Sequence, residues 1–241
     1  MGGEIPRSFS DGRYVVVKKL GEGGKGIVFK CSDEMLNRTV AVKMIKTSLD
    51  EETSSRFKRE AQTTARLNHP NIVSVYDIGN VDNHPFLVIE YIDGKSLDDV
   101  IREKSVLSPY DIVRISTAIA EALEYSHKQG ILHRDIKPEN IMMTKDGIPK
   151  IMDFGLARSV DSPKLTHAGA IVGTPAFISP ESALGKENDA RSDLYSLGCV
   201  MYSMATGHPP FVSNDNLKLV YSHINDTPVP VRRIRHDFPE D

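Results

Sequence analysis

The chain of 241 residues contains no tryptophan, two cysteines and no long apolar run. Each shortage narrows the field. Two cysteines, Cys31 and Cys199, are too few for a disulfide scaffold, and their apolar neighbours mark them as buried thiols in a reducing compartment. No stretch approaches the ~18 apolar residues that a membrane-crossing helix needs. Neither sign of charge dominates. The 30 lysines and arginines against 33 acids leave a formal charge of −3, so no global basic field points to nucleic acid. Arg232, Arg233 and Arg235 form the one notable basic cluster and are read as a solvated face. The first residues carry acid, proline and serine instead of a signal-peptide core. Pro6 stands where a myristoylation signal at Gly2 calls for Ser or Thr. The expectation is a soluble, cytoplasmic protein with no membrane segment in this chain and no nucleic-acid partner. The length suits one large domain or two lobes sharing a cleft.

What is present is concentrated in His133-Arg134-Asp135-Ile136-Lys137-Pro138-Glu139-Asn140, with Asp153-Phe154-Gly155 following closely. Asp135 is a carboxylate able to take up the proton of an attacking hydroxyl. Asn140 and Asp153 offer hard oxygen ligands, which suit a magnesium ion bridging phosphates. Lys137 can neutralise charge on a phosphoryl group in transit. Phosphoryl transfer needs this division of labour, because its catalysis is mostly positioning and charge stabilisation.

At these residues the sequence resembles the protein kinase superfamily, through H-R-D-x-x-x-x-N and D-F-G. The other motifs of that set follow in order. Gly21-Glu22-Gly23-Gly24-Lys25-Gly26-Ile27-Val28 fits G-x-G-x-x-G-x-V, where glycine lets backbone approach phosphates. No long helix follows this loop, which disfavours a dinucleotide-binding unit. Ala41-Val42-Lys43 places a lysine in an apolar strand, where desolvation demands a partner. The helix opened by Asp50-Glu51-Glu52 supplies Glu60, the partner that the resemblance implies. Strands are expected at 72–78 and 85–91. Val88 to Gly94 looks like the kinase hinge, with Ile89 as gatekeeper, Glu90 and Ile92 at the adenine edge and Ser96 near the ribose. By the same resemblance, Leu20, Gly21, Gly23, Gly26, Val28, Ala41, Lys43, Met142 and Asp153 line the nucleotide.

Ser108-Pro109-Tyr110-Asp111 is a helix start, and Ile112, Ile115, Ile119, Ala122 and Leu123 recur at helical spacing until Gly130 ends the run. Asp146-Gly147 divides a short hairpin. Asp193 opens an apolar helix that ends at Gly207, and it resembles the aspartate that braces the catalytic-loop backbone in kinases. Residues 214–224 form one more helix. The resemblance covers about residues 14–225.

The implied fold is α+β and bilobal. Residues 1–13 form a flexible tail. Residues 14–92 form a small lobe with a five-stranded sheet and one helix, and residues 93–241 a mainly helical lobe. The implied activity is ATP-dependent serine/threonine kinase, with Mg2+ or Mn2+ held by Asn140 and Asp153, and with protein substrates. Lys137, two residues after Asp135, is the serine/threonine signature, and Thr174 supports it. Arg134 beside Asp135 implies activation by a phosphate in residues 153–181, with Thr166, Ser159 and Ser162 as acceptors and self-association as the route. Ser179-Pro180-Glu181 stands where the family carries A-P-E. No arginine that would pair with Glu181 lies in a recognisable later helix. The carboxyl lobe reads as shorter than usual by roughly 30–40 residues, against an ordinary domain of this kind. A non-catalytic nucleotide-binding scaffold is therefore the alternative.

Overall fold

Alternating β-branched and polar residues build the first sheet. The computed structural model describes residues 6–23, 26–46, 50–81, 84–154 and 175–239. The sheet's strands are β1 (Ser8–Phe9), β2 (Tyr14–Gly23), β3 (Gly26–Asp33), β4 (Arg38–Met44), β5 (Val75–Val81) and β6 (His84–Glu90). They pair antiparallel in the order β1-β2-β3-β4-β6-β5. Phe9, Tyr14, Phe29, Cys31, Val40, Val42, Phe86 and Val88 form the core against it.

Six strands rather than five make this sheet, and the sixth comes from the expected tail. Ser8 and Phe9 pair with Val15 and Tyr14, and Phe9 is buried against the rings of Phe29 and Phe86. One large aromatic gives a short segment enough apolar burial to offset its ordering. Helix α1 (Glu51–Thr64) starts where Asp50 accepts a hydrogen bond from the Thr53 N–H, 2.8 Å away. It buries Phe57 and Ala61.

The second group of elements is built on helices. They are α2 (Leu97–Lys104), α3 (Pro109–Lys128), α4 (Pro180–Ala183), α5 (Ala190–Thr206), α6 (Asn216–Asn225) and α7 (Val231–Ile234). A small sheet of β7 (Gly94–Ser96), β8 (Ile141–Thr144) and β9 (Pro149–Ile151) accompanies them. Ser108 caps α3 as expected, and its apolar stripe of Ile112, Ile115, Ile119, Ala122 and Leu123 is buried. Helix α5 stops at Gly207, whose φ of +85° is open to glycine at little cost. A Cβ there would also lie 2.6 Å from the Ser105 carbonyl oxygen.

The described residues fall into two compact units. One takes the chain through Asn68 plus Val73–Asp93, and the other takes His69–Ile72 and the chain from Gly94 onward. Four residues thus leave the lobe that the sequence assigned them to. Asn71 donates from Nδ2 to the Pro149 carbonyl at 2.7 Å, its own carbonyl accepts from Ile151 N at 2.8 Å, and Ile72 bridges Ile151. The expected strand at 72–78 accordingly begins at Val75.

The basic cluster near residue 235 is also not all solvated. Arg232 and Arg233 are exposed, but the Arg235 side chain is only 14% exposed and donates from Nη1 to the Leu107 carbonyl at 2.6 Å. A half-buried guanidinium bonded to a backbone oxygen anchors the chain there instead of forming a solvated face.

Candidate active site

The second unit carries the reactive stretch. Pro138–Asn140 is a single 3-10 turn, closed by Asn140 N donating to the Lys137 carbonyl at 3.0 Å. Folding back in this way brings Asn140 Nδ2 within 2.6 Å of the Asp135 carbonyl and 3.0 Å of Asp135 Oδ2. Lys137 Nζ lies 3.1 Å from Asp135 Oδ1. One carboxylate therefore meets a cation on one oxygen and an amide on the other, in a partly exposed setting. The amide commits its donor side to Asp135, which leaves Oδ1 as the side suited to a hard cation.

The backbone under these groups is tied at several points. His133 is buried, donates from Nε2 to the Met152 carbonyl at 2.7 Å and accepts the Asp135 N–H at Nδ1, 3.2 Å away. These two bonds fix the orientation of its ring. Its ring meets Phe154 edge-on at 4.7 Å. Met152 N donates to the Asn140 carbonyl at 2.8 Å, which sets Asp153 beside the turn in sequence and ladder.

Asp193 joins the catalytic stretch to α5 as the resemblance implied. Its Oδ2 accepts from His133 N at 2.9 Å and its Oδ1 from Arg134 N at 2.7 Å. His127, in the last turn of α3, donates from Nε2 to Oδ2 at 2.8 Å. Burial pushes the Asp193 carboxyl up. The His127 hydrogen bond, the nearby His133 ring and the two backbone N–H groups more than offset this and hold it below the usual carboxylate range. Sequence reasoning missed His127. Its signal was weak, because a histidine closing a helix is ordinary helix-end chemistry.

Other expected site residues fall on ordered elements. In the first unit, Lys43 stands in β4 between Val28 and Leu87, Ala41 pairs with Ile89, and Gly21 pairs with Val28. Gly23 and Gly26 close the β2–β3 ladder, and Leu20 is exposed on β2. Glu60 lies on α1 one residue before buried Ala61. Glu90 N donates to the Ser74 carbonyl at 2.9 Å. Ile92 is half-buried. In the second unit, Met142 sits in β8 opposite Ser96 and Lys150. The Ser96 hydroxyl caps α2, accepting from Asp99 N at 3.0 Å and donating to Asp99 Oδ2 at 2.6 Å. Gly24, Lys25, Gly155, Ser159, Ser162, Thr166 and Thr174 lie outside the described residues.

Glu181 accepts from the Ser192 hydroxyl, and Arg191 is near enough for its charge to be felt by the carboxylate. Burial opposes its ionisation, and the Ser192 bond helps to keep its carboxyl below the usual range. A cavity of about 450 Å3 opens there, lined by Pro180, Glu181, Lys186, Arg191 and Tyr195 among others, and none of the expected catalytic residues borders it. No helix among the described residues is long and apolar enough to cross a membrane.

An aspartate held between a lysine and an asparagine on a helical unit, in a chain whose other unit is a β-rich sheet, suits a phosphotransferase domain. Residues 14–240 match the protein kinase domain family, and the chain belongs to that family. Its relatives include the serine/threonine-protein kinase PknB of Mycobacterium leprae, 42% identical over 96% of this chain and 38% of that protein. PknB of Mycolicibacterium smegmatis is 43% identical over 96% of this chain and 38% of its own length. The chain thus spans little more than a third of these relatives. The crystal structure of the Mycobacterium tuberculosis PknI kinase domain superposes with a TM-score of 0.75 at 27% identity, covering 98% of this chain and 86% of that one.

Proposed function

We propose that this chain is the catalytic domain of an ATP-dependent serine/threonine protein kinase. It transfers the γ-phosphoryl group of Mg-ATP to serine or threonine hydroxyls of proteins, and phosphorylates itself within residues 153–181. The observation that carries this reading is the Asp135 carboxylate held by Lys137 at 3.1 Å and Asn140 at 3.0 Å. Asp135 accepts the proton of the substrate hydroxyl as its oxygen bonds to the γ-phosphorus and the bond to ADP breaks. Lys137 stabilises the charge of the transferring group. Lys43, held by Glu60, contacts the α- and β-phosphates, and Gly21, Gly23 and Gly26 offer backbone N–H groups. Leu20, Val28, Ala41, Ile89, Glu90, Ile92, Ser96 and Met142 take the adenosine. Asn140 and Asp153 hold Mg2+ or Mn2+, which when bound neutralises phosphate charge. The family's chemistry implies protein partners, and the readings of cytoplasmic location and of self-association stand with this proposal.

The test is incubation with γ-labelled ATP and magnesium beside Lys43→Met and Asp135→Asn, followed by phosphosite mapping. Label on Thr166, Ser159 or Ser162 in the parent chain is expected. Asp135→Asn should lower transfer by about 10²–10⁴-fold, as loss of a general base does, while ATP binding persists. Full transfer by Asp135→Asn would overturn the assignment. ATP binding without transfer by the parent chain would favour the scaffold reading.

A further inference from the structure

The stem of the glycine loop carries an ion cluster that the proposed transfer does not use. The Glu22 carboxylate is held by Lys19 on the same strand and by Lys46, two residues past the end of β4. Residues three apart in a regular strand point to opposite faces. A register irregularity between Lys19 and Gly21 breaks that alternation and lets Lys19 meet Glu22. Lys46 is brought in by the neighbouring ladder, where Ile27 pairs with Met44 and Val28 with Lys43. The segment before it is fastened in turn, since Ile45 N donates to the Pro85 carbonyl at 2.9 Å.

Both stems of the loop are thereby tied to the strand that bears Lys43. The returning stem lies so close that a Cβ on Gly26 would sit 2.2 Å from the Met44 carbonyl oxygen. The outgoing stem has no such contact at Gly21 or Gly23, where a Cβ would meet nothing within 4 Å. Glu22 supplies the missing attachment. Hydrogen bonds from Lys19 and then Lys46 hold its carboxyl down at about 2, so it stays ionised through the physiological range.

We propose that Glu22 is a positioning residue: the Lys19–Glu22–Lys46 clasp fixes the outgoing stem of the glycine loop to the end of β4, and so sets the affinity for a nucleoside triphosphate. This rests on the kinase reading above. Removing the acid has two opposite consequences that binding can separate. A loosened stem weakens triphosphate binding, whereas two released lysines would strengthen it.

Calorimetric titration of the chain with Mg-ATP and, separately, with neutral adenosine decides between them. Glu22→Gln and Lys46→Gln should each raise the dissociation constant for ATP roughly threefold to tenfold, the range for losing exposed ion pairs that act together. Adenosine affinity should hold, and kcat at saturating ATP should stay within about twofold. The double exchange Glu22→Lys with Lys46→Glu keeps two cations and one anion, and should restore ATP affinity. Unchanged or tighter ATP binding by Glu22→Gln overturns the proposal, as does an exchange no better than the single variants. An equal loss for adenosine would mark a folding defect and also overturn it. If the parent chain bound neither ligand, the kinase reading itself would fall.

Discussion

Arg134 and Asp153 both adopt left-handed backbone, with φ of +67° and +61°. Aspartate tolerates that region through its short polar side chain; arginine does so at a cost of order 1–3 kcal/mol. The Asp193 carboxylate accepts from the N–H groups of His133 and Arg134 together, which is how the strain at Arg134 persists. Asp193→Asn keeps one acceptor and loses the other, and should lower stability by about 1–3 kcal/mol. The sign with pH follows from the depressed carboxyl. Its contribution is complete above the ordinary value of 3.8 and is lost as pH falls through the lower folded value. Urea midpoints of parent and variant should therefore converge below pH 3.8 and stay apart above it. Equal separation at every pH would refute the carboxylate's role. The motif spelling made Asp135, Lys137 and Asn140 legible, because their chemistry is local in sequence. His127 and Ser192 were not, since each acts on a carboxylate distant in the chain, and nothing in a helix-ending histidine or a helical serine announces that partner.

Strand β1 shows how little sequence an element needs once a core is available. A two-residue pairing is no strand by pattern, and residues 1–13 read as polar tail. Tertiary burial decided otherwise, because Phe9 is 1% exposed in a nest of aromatic rings. Phe9→Ala should cost about 3–5 kcal/mol, the range for emptying a buried phenylalanine site, and a denaturant titration would show it. A cost below ~0.5 kcal/mol, as at surface sites, would restore the tail reading. Longer elements were legible through their periods and caps: α3 follows its isoleucine stripe, and α5 ends on Gly207.

Helix α6 adds a different dependence. His223 is 3% exposed, its Nδ1 lies 2.9 Å from the Tyr195 hydroxyl, and its Nε2 is buried with no well-formed hydrogen bond among the described residues. Burial holds its pKa below the ordinary 6.5, although the Ala176 backbone pulls by less in the other direction. The unfolded chain therefore takes up the proton first, and stability falls as pH drops below 6.5. His223→Gln should remove that component. A variant with the parent's full pH slope between about 6.5 and 5 would show that another group produces it.

Two units with separate cores raise the question of how many transitions the molecule shows when it unfolds. The first unit is held by an aromatic-rich sheet core, and the second by α3, α5 and the polar braces at Asp193. Domains with their own cores often depart from a single transition. Phe9→Ala weakens only the sheet core, and Asp193→Asn only the helical unit, so the pair reads the molecule's cooperativity. Two resolved steps, each moved by one variant, are expected in a urea titration followed by tyrosine fluorescence and far-ultraviolet dichroism. A single step moved by both would mean that the cores unfold as one body. Mg-ATP then adds a second reading. At a hundredfold excess over its dissociation constant it should stabilise whatever state binds it by about 2.7 kcal/mol. Lys43→Met should remove most of that gain without shifting the step that Asp193→Asn moves. A gain that survived in Lys43→Met would place the nucleotide away from Lys43 and unseat the proposed site.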